Sequence, residues 1–126
     1  MKVVNRIKAN EEFVLTVKKG KTLKSPTYVI HYLSTDLQVC RIGLSVSKKL
    51  GNAVTRNRIK RQMRVMCDDL IDYAGHTLDV VIIVKDEFLK NNFESNKTTL
   101  NNLLSEIGIV KWTKEQNFYS LAQLGF

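Results

Sequence analysis

The chain has 126 residues, 44% apolar and 25% charged, with 20 Lys and Arg against 12 Asp and Glu, a net charge of +8 and a pI near 9.6. This length makes a single domain, 1–126, able to bury about two-thirds of its unfolded surface without staples, and the composition excludes a disordered chain. The basic balance points to nucleic acid or an anionic surface as partner.

Cys40 and Cys67 stand alone, without C-x-x-C spacing, and His31 and His76 lie far apart, so no metal site is spelled out and no metal is expected on the protein. Both cysteines read as buried thiols in a reducing, cytoplasmic protein. The opening MKVVNRIKANEEF lacks the apolar stretch of a signal peptide, and the longest apolar run, Val80 to Val84, is far below membrane-spanning length. A soluble protein with no membrane partner is expected.

In chain order, Asn10, Glu11 and Glu12, then Phe13, Val14 and Val17, then Lys18, Lys19 and Gly20 predict a short helix. It has a capping residue, an acidic first turn, a basic last turn and a closing glycine. Phe13 and Val17 share a face that either packs on a sheet or lines a groove for an unstacked base. After Pro26, Tyr28 to Leu33 predicts a strand turned by Ser34-Thr35-Asp36. The next run alternates, with Cys40, Ile42, Leu44 and Val46 toward a core and Arg41, Gly43, Ser45 and Ser47 toward an open or lightly covered face.

A basic helix then runs from about Ala53 to Tyr73 and stops near Gly75. Ile59, Met63, Met66, Leu70 and Tyr73 form one narrow apolar stripe, flanked by Arg56, Lys60 and Arg64, with Asn57, Arg58 and Arg61 further round. Between Leu37 and Cys67 there are eight basic residues, Arg41, Lys48, Lys49, Arg56, Arg58, Lys60, Arg61 and Arg64, and no acidic one. Outside that stretch 12 basic residues face 12 acidic ones, so the whole excess charge is concentrated there. Like charges at helical spacing weaken a helix, and an ordinary solvated face mixes signs; a phosphate polyanion that neutralises the face accounts for the pattern better. Gly51 permits a tight turn, and Asn52 or Thr55 caps the helix, placing its positive end beside Lys48 and Lys49.

DVVIIV, Asp79 to Val84, reads as a strand buried on both faces, hence central, and a strand on each side of the helix implies a βαβ unit. From Ser95, the rhythm of Leu100, Leu103, Leu104 and Ile107 before Gly108 predicts another amphipathic helix. The tail, with Trp112, Phe118, Tyr119, Leu121, Leu124 and Phe126 behind a Thr113-x-x-Gln116 cap, reads as a short packed helix. No acid–base pair, nucleophile or metal cluster assembles; Asp68, Asp69 and Asp72 read as a solvated helix end. By itself the chain reads as a binding protein with no catalytic residue and no small-molecule substrate.

The run RIGLSVSKKLGNAVTRNRIKRQMR, Arg41 to Arg64, resembles the signature of the bacterial ribonuclease P protein subunit, whose hallmark Arg-Asn-Arg stands here as Arg56-Asn57-Arg58. The resemblance spans about residues 6–107 and leaves 111–126 as a C-terminal extension. It implies an α/β fold: an α+β two-layer sandwich with a small mixed sheet, packed helices and a left-handed βαβ crossover, of the kind also found in a ribosomal-protein domain. General rules alone would give a right-handed crossover. It also implies that an RNA subunit holds the catalytic magnesium ions and removes the 5′ leader of precursor tRNA, while the protein docks on that RNA and grips the leader. By position, Lys48, Lys49, Asn52, Arg56, Asn57, Arg58, Lys60, Arg61 and Arg64 then contact the catalytic RNA. Phe13, Val17, His31 and Lys85 face the leader, with Val17 where a second Phe is common, His31 where the pattern has Tyr and Lys85 where Arg is frequent.

A ribosomal-type structural RNA-binding protein shares the basic helix but needs no aromatic single-strand groove. A helix-turn-helix DNA binder wants two helices joined by a short turn, whereas a strand precedes this helix. A stand-alone nuclease would cleave with magnesium and no RNA subunit.

Overall fold

In the computed structural model, residues 1–111 are described; the predicted tail helix lies outside them. The elements are α1 (Asn10–Lys19), β1 (Lys21–Lys24), β2 (Tyr28–Ser34), β3 (Arg41–Val46), α2 (Ala53–Leu70), β4 (Leu78–Val84) and α3 (Phe93–Ile107). Short 3₁₀ turns occupy Val3–Asn5, Lys48–Leu50 and Asp86–Lys90. The four-stranded sheet has the order β1-β2-β4-β3, with β2 antiparallel to β1 and β4, and β3 parallel to β4. The parallel neighbours joined through α2 are the expected βαβ unit, and β4 is an inner strand, as its unbroken apolar run predicts.

Strand alternation divides the sheet into two unequal faces. On one, Tyr28, Ile30, Ile42, Val46, Val80, Ile82 and Val84 are buried against Ile59, Met63 and Met66 of α2 and Leu100, Leu103 and Leu104 of α3. Each large side chain so buried contributes about 1.5–3 kcal/mol. The buried Tyr28 hydroxyl finds a partner by donating to the Asn96 carbonyl at 2.9 Å, while its ring meets Phe88 edge-on at 6.1 Å. Among the described residues, no helix is long and apolar enough to cross a membrane.

The other face carries α1, which contacts β2 and β4. Phe13 lies directly over Gly43: a Cβ at that position would come 2.9 Å from the Phe13 ring, so the missing side chain makes room for the aromatic. Next to this contact, Arg41 joins helix to sheet. Its Nε and Nη2 donate to the two oxygens of Asp79, its register partner on β4, at 2.9 and 2.6 Å, and Nη2 also donates to Glu12 of α1.

The paired carboxylates push the Arg41 pKa up, and the hydrogen bond from Arg41 holds Glu12 below the usual carboxylate range. Arg41 therefore belongs to the structure's interior charge balance and not to the exposed basic face with which sequence counting groups it. Asp68 departs similarly from a solvated helix end. Burial works against its ionisation, but hydrogen bonds from the Met1 ammonium and from the Tyr73 hydroxyl at 2.9 Å hold its pKa down.

Several boundaries differ from expectation for local reasons. Ala9, not Asn10, is the N-cap of α1, and Gly20 is extended with φ −75°, leading straight into a strand that the sequence pattern conceals. The basic helix ends at Leu70 because Ile71 turns out to pair with Val110. α3 starts earlier than Ser95: Asn92 caps it by accepting from the Ser95 amide at 2.8 Å. Cys40 and Cys67 are buried thiols, as expected, and burial raises the pKa of both, Cys40 to about 12.

Candidate nucleic-acid interface

The turn ahead of α2 is built by local hydrogen bonds. Ser47 Oγ accepts from the Lys49 amide at 3.1 Å and Asn52 Oδ1 accepts from the Thr55 amide at 3.0 Å, which makes Asn52 the cap. Gly51 between them has φ +143°, a conformation side-chain-bearing residues rarely adopt. The result presents Lys48 and Lys49, both exposed, beside the positive end of an 18-residue helix.

Along α2, Ile59, Met63 and Met66 face the core, which leaves Asn57, Arg58 and Arg61 exposed and Arg56, Lys60 and Arg64 half-buried at the flanks. Among the described residues, ion pairs involve only Arg41, Lys90, Lys97 and the N-terminal ammonium. None of Lys48, Lys49, Arg56, Arg58, Lys60, Arg61 and Arg64 meets a carboxylate of the described residues. Seven cations thus share one surface with no neutralising carboxylate among the described residues, an arrangement whose self-repulsion a bound polyanion relieves.

The residues expected to face a leader gather on the opposite side of the sheet. His31, Val81 and Gly43 form one transverse row through β2, β4 and β3, so His31 stands two strands, about 10 Å, from the position covered by the Phe13 ring. Val17 lies one helical turn beyond Phe13, and both are half-buried. The next row, Val29, Ile83 and Ser45, is also only half-buried and floors the face. Lys85 is exposed just past β4 and anchored by its Nζ donating to the Ser25 carbonyl at 3.2 Å.

Sequence reasoning missed Thr22 and Lys24, because β1 was not recognised. Thr22 Oγ1 lies 2.9 Å from His31 Nδ1, and Lys24 pairs with Val29. Partial burial, assisted by the Lys24 charge, lowers the His31 pKa below the ordinary 6.5, so the ring is neutral at pH 7 and offers a flat uncharged surface. The unfolded chain then takes up this proton first as pH falls. Stability should be level above pH 6.5, decline as pH drops from there toward the lower folded pKa, and lose that increment in His31→Gln. Melting temperatures of both proteins between about pH 7.5 and 5 measure it; parallel curves would show that His31 titrates normally.

A family model described as Ribonuclease P matches residues 1–108. The chain belongs to the ribonuclease P protein family. The matched stretch covers the whole sheet and all three described helices, somewhat more than the 6–107 expected from the motif. The ribonuclease P protein component of Mesoplasma florum is 42% identical over 105 residues, covering 82% of this chain and 96% of the relative. That of Oceanobacillus iheyensis is 42% identical over 117 residues, covering 92% and 97%. The ribonuclease P protein of Staphylococcus aureus superposes with a TM-score of 0.74 at 28% identity, over 85% of this chain and 98% of that one. The Thermotoga maritima protein gives 0.69 at 29%, over 79% and 96%. The ribonuclease P fold, a mixed four-stranded sheet with three helices, is the one described above.

Proposed function

We propose that this protein, as the ribonuclease P subunit its family membership makes it, docks on the enzyme's catalytic RNA through the turn at Lys48 and Lys49, the Asn52 cap and the Arg56, Asn57, Arg58, Lys60, Arg61 and Arg64 face. The groove formed by Phe13, Val17, His31 and Lys85 takes the single-stranded 5′ leader of precursor tRNA. The observation that carries this reading is the run of seven cations on one surface with no carboxylate among the described residues to balance them. Family membership favours it over a purely structural ribosomal-type role, as does the placement of an aromatic and a neutral imidazole across one half-open sheet face.

In this division of labour the protein positions RNA and the RNA carries the chemistry, with magnesium held there. Glu12 and Asp79, at the junction of α1 and the sheet, are engaged by Arg41. The setting is the cytoplasm, where precursor tRNA is made and trimmed.

Salt dependence tests the docking face. Affinity for the RNA subunit should fall with a log–log slope of roughly −0.7 to −0.9 per neutralised phosphate, and Arg58→Ala should make the slope about one unit shallower. Titrations of labelled RNA at several salt concentrations give the slope. If it is unchanged, Arg58 lies off the interface.

A further inference from the structure

A cavity of about 190 Å³ lies where the N-terminal segment, α1, β3 and α2 meet. Phe13, Ile42 and Leu44 form part of its apolar wall, and three cations border it: Lys60 and Arg64 from α2 and Arg6 from the N-terminal segment. Arg6 belongs to none of the motifs singled out in the sequence. Its place is set by backbone pairing, since it bridges Ile42 on the open edge of β3 and the next amide, Ile7, donates to the Ile42 carbonyl at 3.1 Å.

The guanidinium is only partly used. Its Nη2 donates to the Met1 carbonyl at 3.1 Å, while Nε is buried without a hydrogen-bond partner among the described residues. No ion pair among the described residues involves Arg6, Lys60 or Arg64. Three cations around one cavity repel each other, and leaving a buried N–H unmet costs free energy. An anion with several acceptor oxygens relieves both. A phosphodiester is the anion that a guanidinium fork fits best, and the Phe13 ring in the same wall is where the attached base would stack.

We infer that this cavity is a phosphodiester subsite for the single-stranded substrate, with Arg6 as a phosphate ligand at the crossing between the Phe13 groove and the α2 face. The inference rests on the proposed leader groove and adds a residue and a contact to it. The strand would bend around the β3 edge here, its backbone held by Arg6 beside the Lys60 and Arg64 flank of the docking face.

The test uses holoenzyme assembled from the RNA subunit and wild-type, Arg6→Gln, Arg6→Lys or Phe13→Ala protein. Binding is measured for mature tRNA and for precursor tRNAs whose leaders grow one nucleotide at a time. For Arg6→Gln, affinity should fall about tenfold once the leader is long enough to reach the cavity, with mature tRNA and RNA-subunit binding unchanged, a loss of the size expected for one charge-assisted contact. Arg6→Lys should recover part of the loss, because it restores charge without the fork. An equal loss for all substrates, a loss confined to RNA-subunit affinity, or no loss in a variant with wild-type melting temperature would overturn the inference. If Arg6→Gln unfolds, the Arg6→Lys protein decides: leader-dependent weakening supports the subsite and wild-type binding refutes it. Should Phe13→Ala also leave leader binding untouched, the groove itself fails; a leader effect at Phe13 with none at Arg6 removes only the subsite.

Discussion

Arg41→Ala should lower the unfolding free energy by about 3–5 kcal/mol, a large part of the 5–15 kcal/mol typical of a domain. Asp79 is only 4% exposed, and without the guanidinium its carboxylate stays buried with neither of its two short hydrogen bonds from Arg41. Glu12 loses the contact that fastens α1 over the sheet at the same time. Thermal unfolding should register a fall of roughly 10–20 °C at neutral pH.

The effect depends on pH in a defined direction. Arg41 holds the Glu12 pKa down, so the Glu12 share of the stabilisation is present above the ordinary 4.5 and disappears as pH falls through the lower folded value. The gap between wild type and Arg41→Ala should therefore narrow in acid. A drop below about 1 kcal/mol at pH 7 would mean that the Arg41 pairs behave as a surface salt bridge.

The second large effect belongs to the groove. Phe13→Ala should weaken binding of leader-bearing precursor tRNA by about 1–3 kcal/mol, the range for one base stacked on an aromatic ring, and leave mature tRNA nearly unaffected. Because the ring also fills the space above Gly43, some stability is lost as well. The two contributions separate by substrate: a packing defect acts on both tRNAs, a lost stacking platform only on the one with a leader. Equal weakening of both would leave Phe13 a packing residue alone.

The basic helix was legible because its chemistry is local: one apolar stripe, one capping Asn and an unmixed set of cations lie within consecutive turns. The inner position of β4 could likewise be read from an apolar run. β1 was not legible, since Lys21, Thr22 and Lys24 give an edge strand the polar composition of a loop, and edge strands are often protected in this way. The role of Arg41 was hidden for another reason. Its partners, Asp79 and Glu12, are 38 and 29 residues away, and a local charge count cannot distinguish a cation bound inside the fold from one on the surface. Arg6 is similar: only its pairing with Ile42 brings it to Lys60 and Arg64.

In the proposed division of labour the protein contributes docking and no reacting group. Single-turnover cleavage of precursor tRNA, measured while Arg56→Ala/Arg61→Ala protein is titrated against a fixed amount of RNA subunit, tests it most directly. Two cations leave the docking face, so the rate should be low at limiting protein and recover to nearly the wild-type value once protein saturates the RNA. A rate that stays depressed at saturation, in a complex shown to be fully assembled, would contradict the claim and place one of these arginines in the chemistry.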